Sequence, residues 1–316
     1  MAKPLIVISG SLAIDRIMNF DGHYRELIEP SKIEVLSVSV LVNSLEEAEG
    51  GTGANIAHNL ASMGEKPILL ASAGKSATSY VERLATSGID TSNVHISKLP
   101  TASFNVLTDS ASNQVGGFYP GAMADASTLS FEPYSGQDVI ACISAHDPVA
   151  MRRQSEECVK HKIRLVYDPG QQVSNISGED LRVGVEAAEV VIVNEYELDM
   201  LTKKTGWTAS QLESKIPVLI STHGEQGSRI AGKSIPSSIQ ISSAKPVKIA
   251  DPTGAGDAYR AGFLYGYLRQ WEPGKCGQLG SVVASFALEQ HGPQAKLSQP
   301  DIEARYQQTF NEKVVL

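Results

Sequence analysis

Residues 251–264 read Asp-Pro-Thr-Gly-Ala-Gly-Asp-Ala-Tyr-Arg-Ala-Gly-Phe-Leu, a small glycine-rich turn that opens directly into a helical run. The start of a helix presents unpaired backbone amides and the positive end of the helix dipole. Because Gly254, Ala255 and Gly256 carry almost no side chain, a phosphate group can approach those amides closely. Asp257 stands beside them as a proton acceptor. Taken alone, such an acid is usually a helix cap, but the combination predicts phosphoryl transfer to a hydroxyl group.

The composition is that of an ordinary globular protein and excludes several functional classes. The chain has 316 residues, 42% apolar and 20% charged, and a net charge of −8. This charge argues against nucleic acid or an anionic membrane as the main partner. Its three cysteines are scattered outside any C-x-x-C spacing, which predicts a reducing compartment without disulfides or structural zinc. The apolar run 5–8 is too short for a signal peptide, so we expect a cytoplasmic protein.

Apolar strands alternate with helical runs over most of the chain, and this alternation predicts a parallel sheet with helices on its faces. The strands are expected at 5–9, 67–73, 139–144, 164–168, 190–194 and 218–222. Two excursions, roughly 12–48 and 94–125, have a different texture, with shorter and more polar strands that include a half-exposed strand at 33–42. We expect the two excursions to pair into one small accessory sheet within a single domain spanning 1–316.

Polar side chains follow many of the predicted strands. Ligands of open parallel sheets bind at the carboxyl ends of the strands, so residues from different segments are expected to converge there. The set comprises Ser11, Asp15, His146, Asp147, Asp168, Asn194, Glu197, Thr222, Gly224 and residues 251–257.

A second glycine-rich motif, Gly50-Gly51-Thr52-Gly53-Ala54-Asn55-Ile56-Ala57, lies about 200 residues before the first and is followed by Gly64 and Gly74. Together the two motifs closely resemble the paired signatures of the ribokinase-like, or PfkB, family of sugar and nucleoside kinases. The resemblance implies an α/β fold in which a mostly parallel sheet is flanked by helices. It also implies that the two excursions form a small antiparallel β-sheet lid over the substrate.

The family resemblance further implies the role of individual residues. Asp257 resembles the general base, and Gly254, Ala255 and Gly256 resemble the anion hole. Asp15, Gly51 and Asn55 resemble the residues that hold the sugar hydroxyls. Asn194 and Glu197 resemble a motif that organises Mg²⁺ and the ATP phosphates, largely through water, while Thr222, Gly224 and Gly227 resemble the turn that holds ATP.

Further segments of the chain most resemble bacterial adenosine kinase-type members of the family. These segments are 118–125, 167–172 and 251–253 together with Tyr259-Arg260. Phe104, Phe118, Tyr119 and Met123 offer the apolar slot that an adenine ring needs. Pro252 replaces the Thr or Ser of many sugar kinases and removes one backbone donor. The family resemblance also implies a site for a monovalent cation such as K⁺ near this turn, and the change to Pro252 leaves undecided whether this protein keeps it.

The expected reaction is therefore transfer of phosphate from ATP to the 5′-hydroxyl of a nucleoside, adenosine first. The alternatives are a sugar kinase acting on ribose, fructose or a related sugar, and a catalytically silent nucleoside-binding protein. The protein is expected as a monomer or as a homodimer formed through the lid.

Overall fold

Two sheets organise residues 3–316, the part of the chain that the computed structural model describes except for the side chains at positions 30 and 32. Nine strands form the large sheet in the order β13-β12-β11-β10-β9-β8-β1-β4-β5. Their bounds are β1 Leu5–Ser9, β4 Ile68–Gly74, β5 Val94–Ser97, β8 Val139–Ile143, β9 Arg164–Tyr167, β10 Val190–Asn194, β11 Val218–Thr222, β12 Ser228–Ala231 and β13 Ile239–Ile241. All neighbours pair in parallel except around β12, which is antiparallel to both β11 and β13. The predicted mostly parallel sheet is confirmed.

Helices cover both faces of the large sheet, because alternate strand residues point to opposite sides. Ile6 and Ile8 of β1 enter one apolar cluster, and Val7 between them enters the other. The helices are α1 Tyr24–Leu27, α2 Thr52–Ser62, α3 Thr78–Thr86, α4 Pro148–His161, α5 Gly178–Ala187, α6 Glu195–Thr205, α7 Ala209–Lys215, α8 Ala255–Tyr267, α9 Pro273–Ala287 and α10 Gln299–Phe310. The first cluster contains α2, α8 and α9, and the second contains α4 to α7. No helix within residues 3–316 has both the length and the apolar character needed to cross a membrane.

The two predicted excursions form one small sheet of four strands in the order β3-β2-β6-β7. Its strands are β2 Ala13–Asn19, β3 Ser44–Gly50, β6 Ala102–Thr108 and β7 Gln114–Tyr119. The two outer pairs are antiparallel, but the central pair of β2 and β6 is parallel. The purely antiparallel pairing that we expected is wrong at this position, because β2 follows β1 and β6 follows β5. Both therefore leave the same edge of the parallel sheet in the same direction.

The half-exposed strand predicted at 33–42 is also wrong. The segment begins in a 3-10 helix, Pro30–Val35, and residues 36–42 form no strand. The free edge of β2 is instead taken by β3, whose sequence is more polar than that of the failed segment. The alternation of apolar residues in 33–42 thus found no partner strand, and Leu41 remains 93% exposed.

Candidate active site

The turn before α8 is held in place by hydrogen bonds from both sides. Asp251 accepts the Thr253 amide at 2.8 Å through Oδ1 and the Gly292 amide at 3.0 Å through Oδ2. Gly254 then adopts a left-handed conformation with φ of 79°, and a Cβ there would lie 2.5 Å from Cα of Pro293. Only glycine satisfies both conditions without strain.

The first turn of α8 presents free donors. Among residues 3–316, no acceptor binds the backbone amides of Gly256 and Asp257, whereas Ala258 already bonds to the Gly254 carbonyl at 2.9 Å. Such amides at a helix N-terminus are suited to bind an anion. The predicted anion-hole segment therefore offers free amides at Gly256 and Asp257, whereas the amide of Ala255, which was also predicted to take part, bonds to the Pro252 carbonyl at 3.4 Å.

Asp257 lies at the bottom of this turn and is only 9% exposed. Its Oδ2 accepts a hydrogen bond of 2.8 Å from Nδ2 of Asn55 in α2. Burial raises the pKa of Asp257 to about 7, although the charge of Arg260 and the Asn55 hydrogen bond act in the opposite direction. A carboxyl group with a pKa near 7 is matched to general base catalysis at neutral pH.

Asn55 belongs to a chain of polar contacts that reaches the small sheet. Gln294 lies 3.5 Å from the Asn55 oxygen and also contacts the hydroxyl of Tyr80. Tyr80 in turn donates to the Gly50 carbonyl at 3.1 Å. Neither Tyr80 nor Gln294 was predicted as a site residue, because neither lies in a recognisable motif. Only the fold brings them to Asn55.

Asp15 lies against the second glycine-rich motif. A Cβ on Gly50 would come within 2.8 Å of the Asp15 Oδ2 atom, and burial raises the pKa of Asp15. Gly51 has a φ of 97°, and a Cβ there would lie 2.5 Å from the Ser11 carbonyl oxygen. The structure thus brings Asp15, Gly51 and Asn55 to the same end of the large sheet as Asp257.

The predicted aromatic residues form a row on one face of the small sheet. Asp15 pairs with Phe104 in register, and Phe104 pairs with Phe118, so the three side chains share a face. Both rings remain open, with Phe104 37% and Phe118 47% exposed. Met123 is 5% exposed and packs with Ala13 and Ala102, which share this face one step along the strands. Tyr119 follows Phe118 and therefore points to the opposite face, so its predicted place in the slot is wrong.

The predicted nucleotide residues lie at the ends of β10 and β11. Asn194 and Thr222 are neighbours in register. Asn194 caps α6 by accepting the Glu197 amide, and Glu197 accepts the Asn194 amide, each at 2.8 Å. After Thr222 the chain forms a tight turn, in which the His223 amide bonds to the Gly227 carbonyl at 2.8 Å around Gly224.

A buried ion-pair cluster lies between these two regions. Arg260 of α8 donates through Nη2 to Oδ1 of Asp168 at 2.6 Å, and its Nε lies 2.6 Å from the other oxygen. The same guanidinium lies 3.6 Å from Glu197. Asp168 also accepts a hydrogen bond of 2.7 Å from the Ser144 hydroxyl. Asp168 was predicted only as one strand-end residue among many and Arg260 only as a subclass marker, since nothing in the sequence pairs them.

Direct metal ligation is restricted at this site. Within the described chain, no group of three or more His, Cys, Asp or Glu side chains is arranged to hold a metal ion. The Glu197 carboxylate is 4% exposed and engages the Asn194 amide and Arg260. A divalent ion at this end therefore fits a position held by phosphates and water molecules. His146 and Asp147 have separate roles, since His146 is buried near Ser9 while Asp147 caps α4.

The chain is similar to known proteins over almost its whole length. Residues 3–300 match the model of the pfkB family carbohydrate kinases. The chain is 32% identical over 295 residues to a nucleoside kinase of Methanothermobacter thermautotrophicus, an alignment that covers 91% of this chain and 90% of the relative.

Solved structures of a nucleoside kinase from Burkholderia thailandensis are similar over almost the whole chain. The complex with inosine has a TM-score of 0.86 and 29% identity, and it covers 98% of this chain and 99% of the other. The complex with ADP-inosine has a TM-score of 0.83 and 30% identity, with 98% and 97% of the two chains covered.

Proposed function

Because this chain belongs to the pfkB family of carbohydrate kinases, and is thus a phosphotransferase that acts on a hydroxyl group, we propose that it is a nucleoside kinase. It transfers the γ-phosphoryl group of ATP to the 5′-hydroxyl of a nucleoside, with adenosine as the first candidate. One observation carries the proposal. The buried Asp257, with a pKa raised to about 7, lies beside the free amides of the α8 N-terminus.

In the proposed reaction, the oxygen of the 5′-hydroxyl attacks the γ-phosphorus while Asp257 accepts the proton of that hydroxyl. The free amides of Gly256 and Asp257 stabilise the charge that develops on the transferred phosphoryl group. Asp15, Gly51 and Asn55 hold the ribose hydroxyls, and Asn55 also orients Asp257 through its 2.8 Å hydrogen bond. ADP leaves as the bond from the γ-phosphorus to its bridging oxygen breaks.

The open aromatic rings support a nucleoside over a free sugar. Phe104 and Phe118 lie in register with Asp15 on one face of the small sheet, and Met123 packs against Ala13 and Ala102 of the same face. An aromatic surface next to a sugar-binding acid suits a purine stacked beside its ribose. The relative from Burkholderia was solved with inosine, which shares the purine ring with adenosine.

The co-substrate is proposed to lie at the opposite end of the cleft. ATP binds along the turn of Thr222, Gly224 and Gly227. Mg²⁺ supplies charge neutralisation on its phosphates and is held by water molecules that Asn194 and Glu197 orient. A K⁺ site near the Asp251 turn stays a prediction. A cytoplasmic location also stays a prediction. We further propose that residues 1–316 form a single domain, in which the small sheet from about 12–48 and 94–125 acts as a lid.

The lid also offers a surface for a homodimer, the alternative to a monomer. On the face opposite Phe104, a cavity of about 400 Å³ lies between Met18, Leu107 and Val115 of the small sheet and residues 36–42 of the same chain. Leu45 and Val115 are each 58% exposed. Light scattering distinguishes the monomer from the homodimer.

The experiment that tests the proposed function measures ADP release with ATP and Mg²⁺ against adenosine, inosine, cytidine, ribose and fructose. Values of kcat/KM for nucleosides well above those for free sugars support the proposal. A preference for ribose or fructose selects the sugar-kinase alternative. Nucleoside binding without ADP release selects the silent binding protein.

A further inference from the structure

Arg260 is the only positive charge that contacts the buried acids of this site within residues 3–316, yet the reaction proposed above leaves it without a role. Its side chain is 10% exposed, and the side chains of Asp168 and Glu197 are 1% and 5% exposed. One hydrogen bond, from Nη2, and the close approach of Nε hold the guanidinium against the Asp168 carboxylate. Its second carboxylate, Glu197, belongs to the capping box at the nucleotide end.

The guanidinium also supports the anion-hole turn. Arg260 lies one helical turn after Gly256, and a Cβ on Gly256 would be 2.7 Å from the Arg260 Nη1 atom. The charged group is therefore in contact with the backbone of the residue before Asp257. One side chain thus touches the first turn of α8, the strand end that carries Asp168 and the capping box of α6.

The charges of the cluster do not balance. The charges of Asp168 and Glu197 raise the pKa of Asp257, and the charge of Asp168 raises that of Glu197, whereas the charge of Arg260 lowers the pKa of both Asp257 and Glu197. Tyr80, Cys142, Tyr167 and Tyr259 also interact with this cluster, and burial raises the pKa of each of them far enough to keep it neutral. Without Arg260, the buried Asp257 and Glu197 would lose the positive charge that favours their ionised forms.

We propose that Arg260 is a positioning residue for phosphoryl transfer, which holds Asp168 and Glu197 in place and keeps Asp257 ionised and ready to accept the hydroxyl proton. This inference rests on the proposed function, because it assigns Arg260 a task in the reaction of Asp257. It differs from a purely structural ion pair, since a structural pair has no reason to set the pH at which the enzyme becomes active.

The test compares two substitutions that remove opposite charges from the same ion pair. Arg260→Met removes the counter-charge, so the acid limb of the pH profile of kcat/KM should move upward by about 1 to 3 pH units. Activity at pH 6.5 should fall about tenfold for each pH unit by which the limb moves, and it should recover toward pH 9. Asp168→Asn removes a neighbouring negative charge, so the acid limb should move in the opposite direction, to lower pH. Arg260→Lys keeps the charge without the planar guanidinium and should move the limb less than Arg260→Met does.

The matched control is an ion pair at the amino end of β9. Arg164 and Asp138 are 2.9 Å apart and more exposed. Arg164→Met and Asp138→Asn should leave the acid limb unchanged, because both residues lie at the amino ends of the strands, far from Asp257 at the carboxyl ends. Unfolding temperatures of all variants show which of them fold, and if Arg260→Met does not fold, Asp168→Asn and Arg260→Lys still give the direction in which the limb moves.

Opposite movements of the acid limb for the two charges support the proposal. Acid limbs that stay in place, or that move the same way in Arg260→Met and Asp168→Asn, would overturn it even though the parent enzyme phosphorylates nucleosides. Failure of the proposed function is a separate result, since it appears as a parent enzyme that does not phosphorylate nucleosides at all.

Discussion

Replacing Asp257 with Asn should make the protein more stable above neutral pH while removing its turnover. The carboxyl group is 9% exposed, and burial raises its pKa from an ordinary value of 3.8 to about 7. Each pKa unit corresponds to 1.36 kcal/mol. A rise of about three pKa units therefore costs about 4 kcal/mol of stability once the group is ionised in both the folded and the unfolded protein. Asn keeps the shape and the contact with Asn55 but carries no charge.

The sign of the pH dependence follows from which state binds the proton. Below pH 4 the carboxyl group is protonated in both states and costs nothing. Between pH 4 and 7 the unfolded chain releases the proton and the folded protein keeps it, so the stability of the parent protein falls as the pH rises. About two pH units of this window, from pH 5 to pH 7, lie above pH 5. The advantage of Asp257→Asn should thus grow by about 2 to 3 kcal/mol between pH 5 and pH 8.

Urea unfolding of both proteins at pH 5 and pH 8 measures this difference. Asp301→Asn is the matched control, because Asp301 is an exposed acid in the first turn of α10. That change should cost a few tenths of a kcal/mol through the helix dipole, about equally at both pH values. An Asp257→Asn variant whose advantage is the same at pH 5 and pH 8, or that is destabilised at both, would refute the reasoning.

Three further predictions concern neighbouring parts of the site. Phe118→Ala should raise KM for nucleosides about tenfold by removing a stacking surface, whereas Tyr119→Ala on the opposite face should not; equal effects would contradict the assignment of the faces. Gly254→Ala should abolish turnover and destabilise the protein, because its Cβ meets a proline backbone. Gly136→Ala, which has the same positive φ but no neighbour within 4 Å, gives the cost of the backbone conformation alone; equal losses in unfolding experiments would refute the clash. Asn55→Leu removes the hydrogen bond that lowers the pKa of the adjoining carboxyl, so the acid limb of kcat should move to higher pH, and an unchanged limb would exclude this role.

Local sequence predicted those features that depend on short-range chemistry. The apolar runs of β8 to β11 and the turn at Gly254 were found because periodicity and glycine content act within a few residues. Predictions failed where a choice of partner decided the outcome. Residues 33–42 alternate like a strand, but β3 took the only free edge of β2. The parallel pairing of β2 with β6 likewise depends on the course of the whole sheet.

The part of the candidate site that the sequence did not predict consists of contacts between residues that lie far apart in the chain. Arg260 and Asp168 are 92 positions apart, and Gln294 lies 239 positions from Asn55. A single sequence contains no signal that pairs such residues. The one signal that the sequence offers for such contacts is a charged residue in a predicted buried segment, because a buried charge needs a partner. That signal identifies Asp168 as unusual without naming Arg260.

The most direct test of the central claim is the product formed from ATP, Mg²⁺ and a purine nucleoside, separated by chromatography and quantified against ADP. We expect one nucleoside 5′-monophosphate for each ADP, and a loss of at least ~10²-fold in this rate for Asp257→Asn, the range expected when a general base is removed. A folded Asp257→Asn variant that forms the monophosphate at the parent rate, or a parent protein that phosphorylates only free sugars, would contradict the claim.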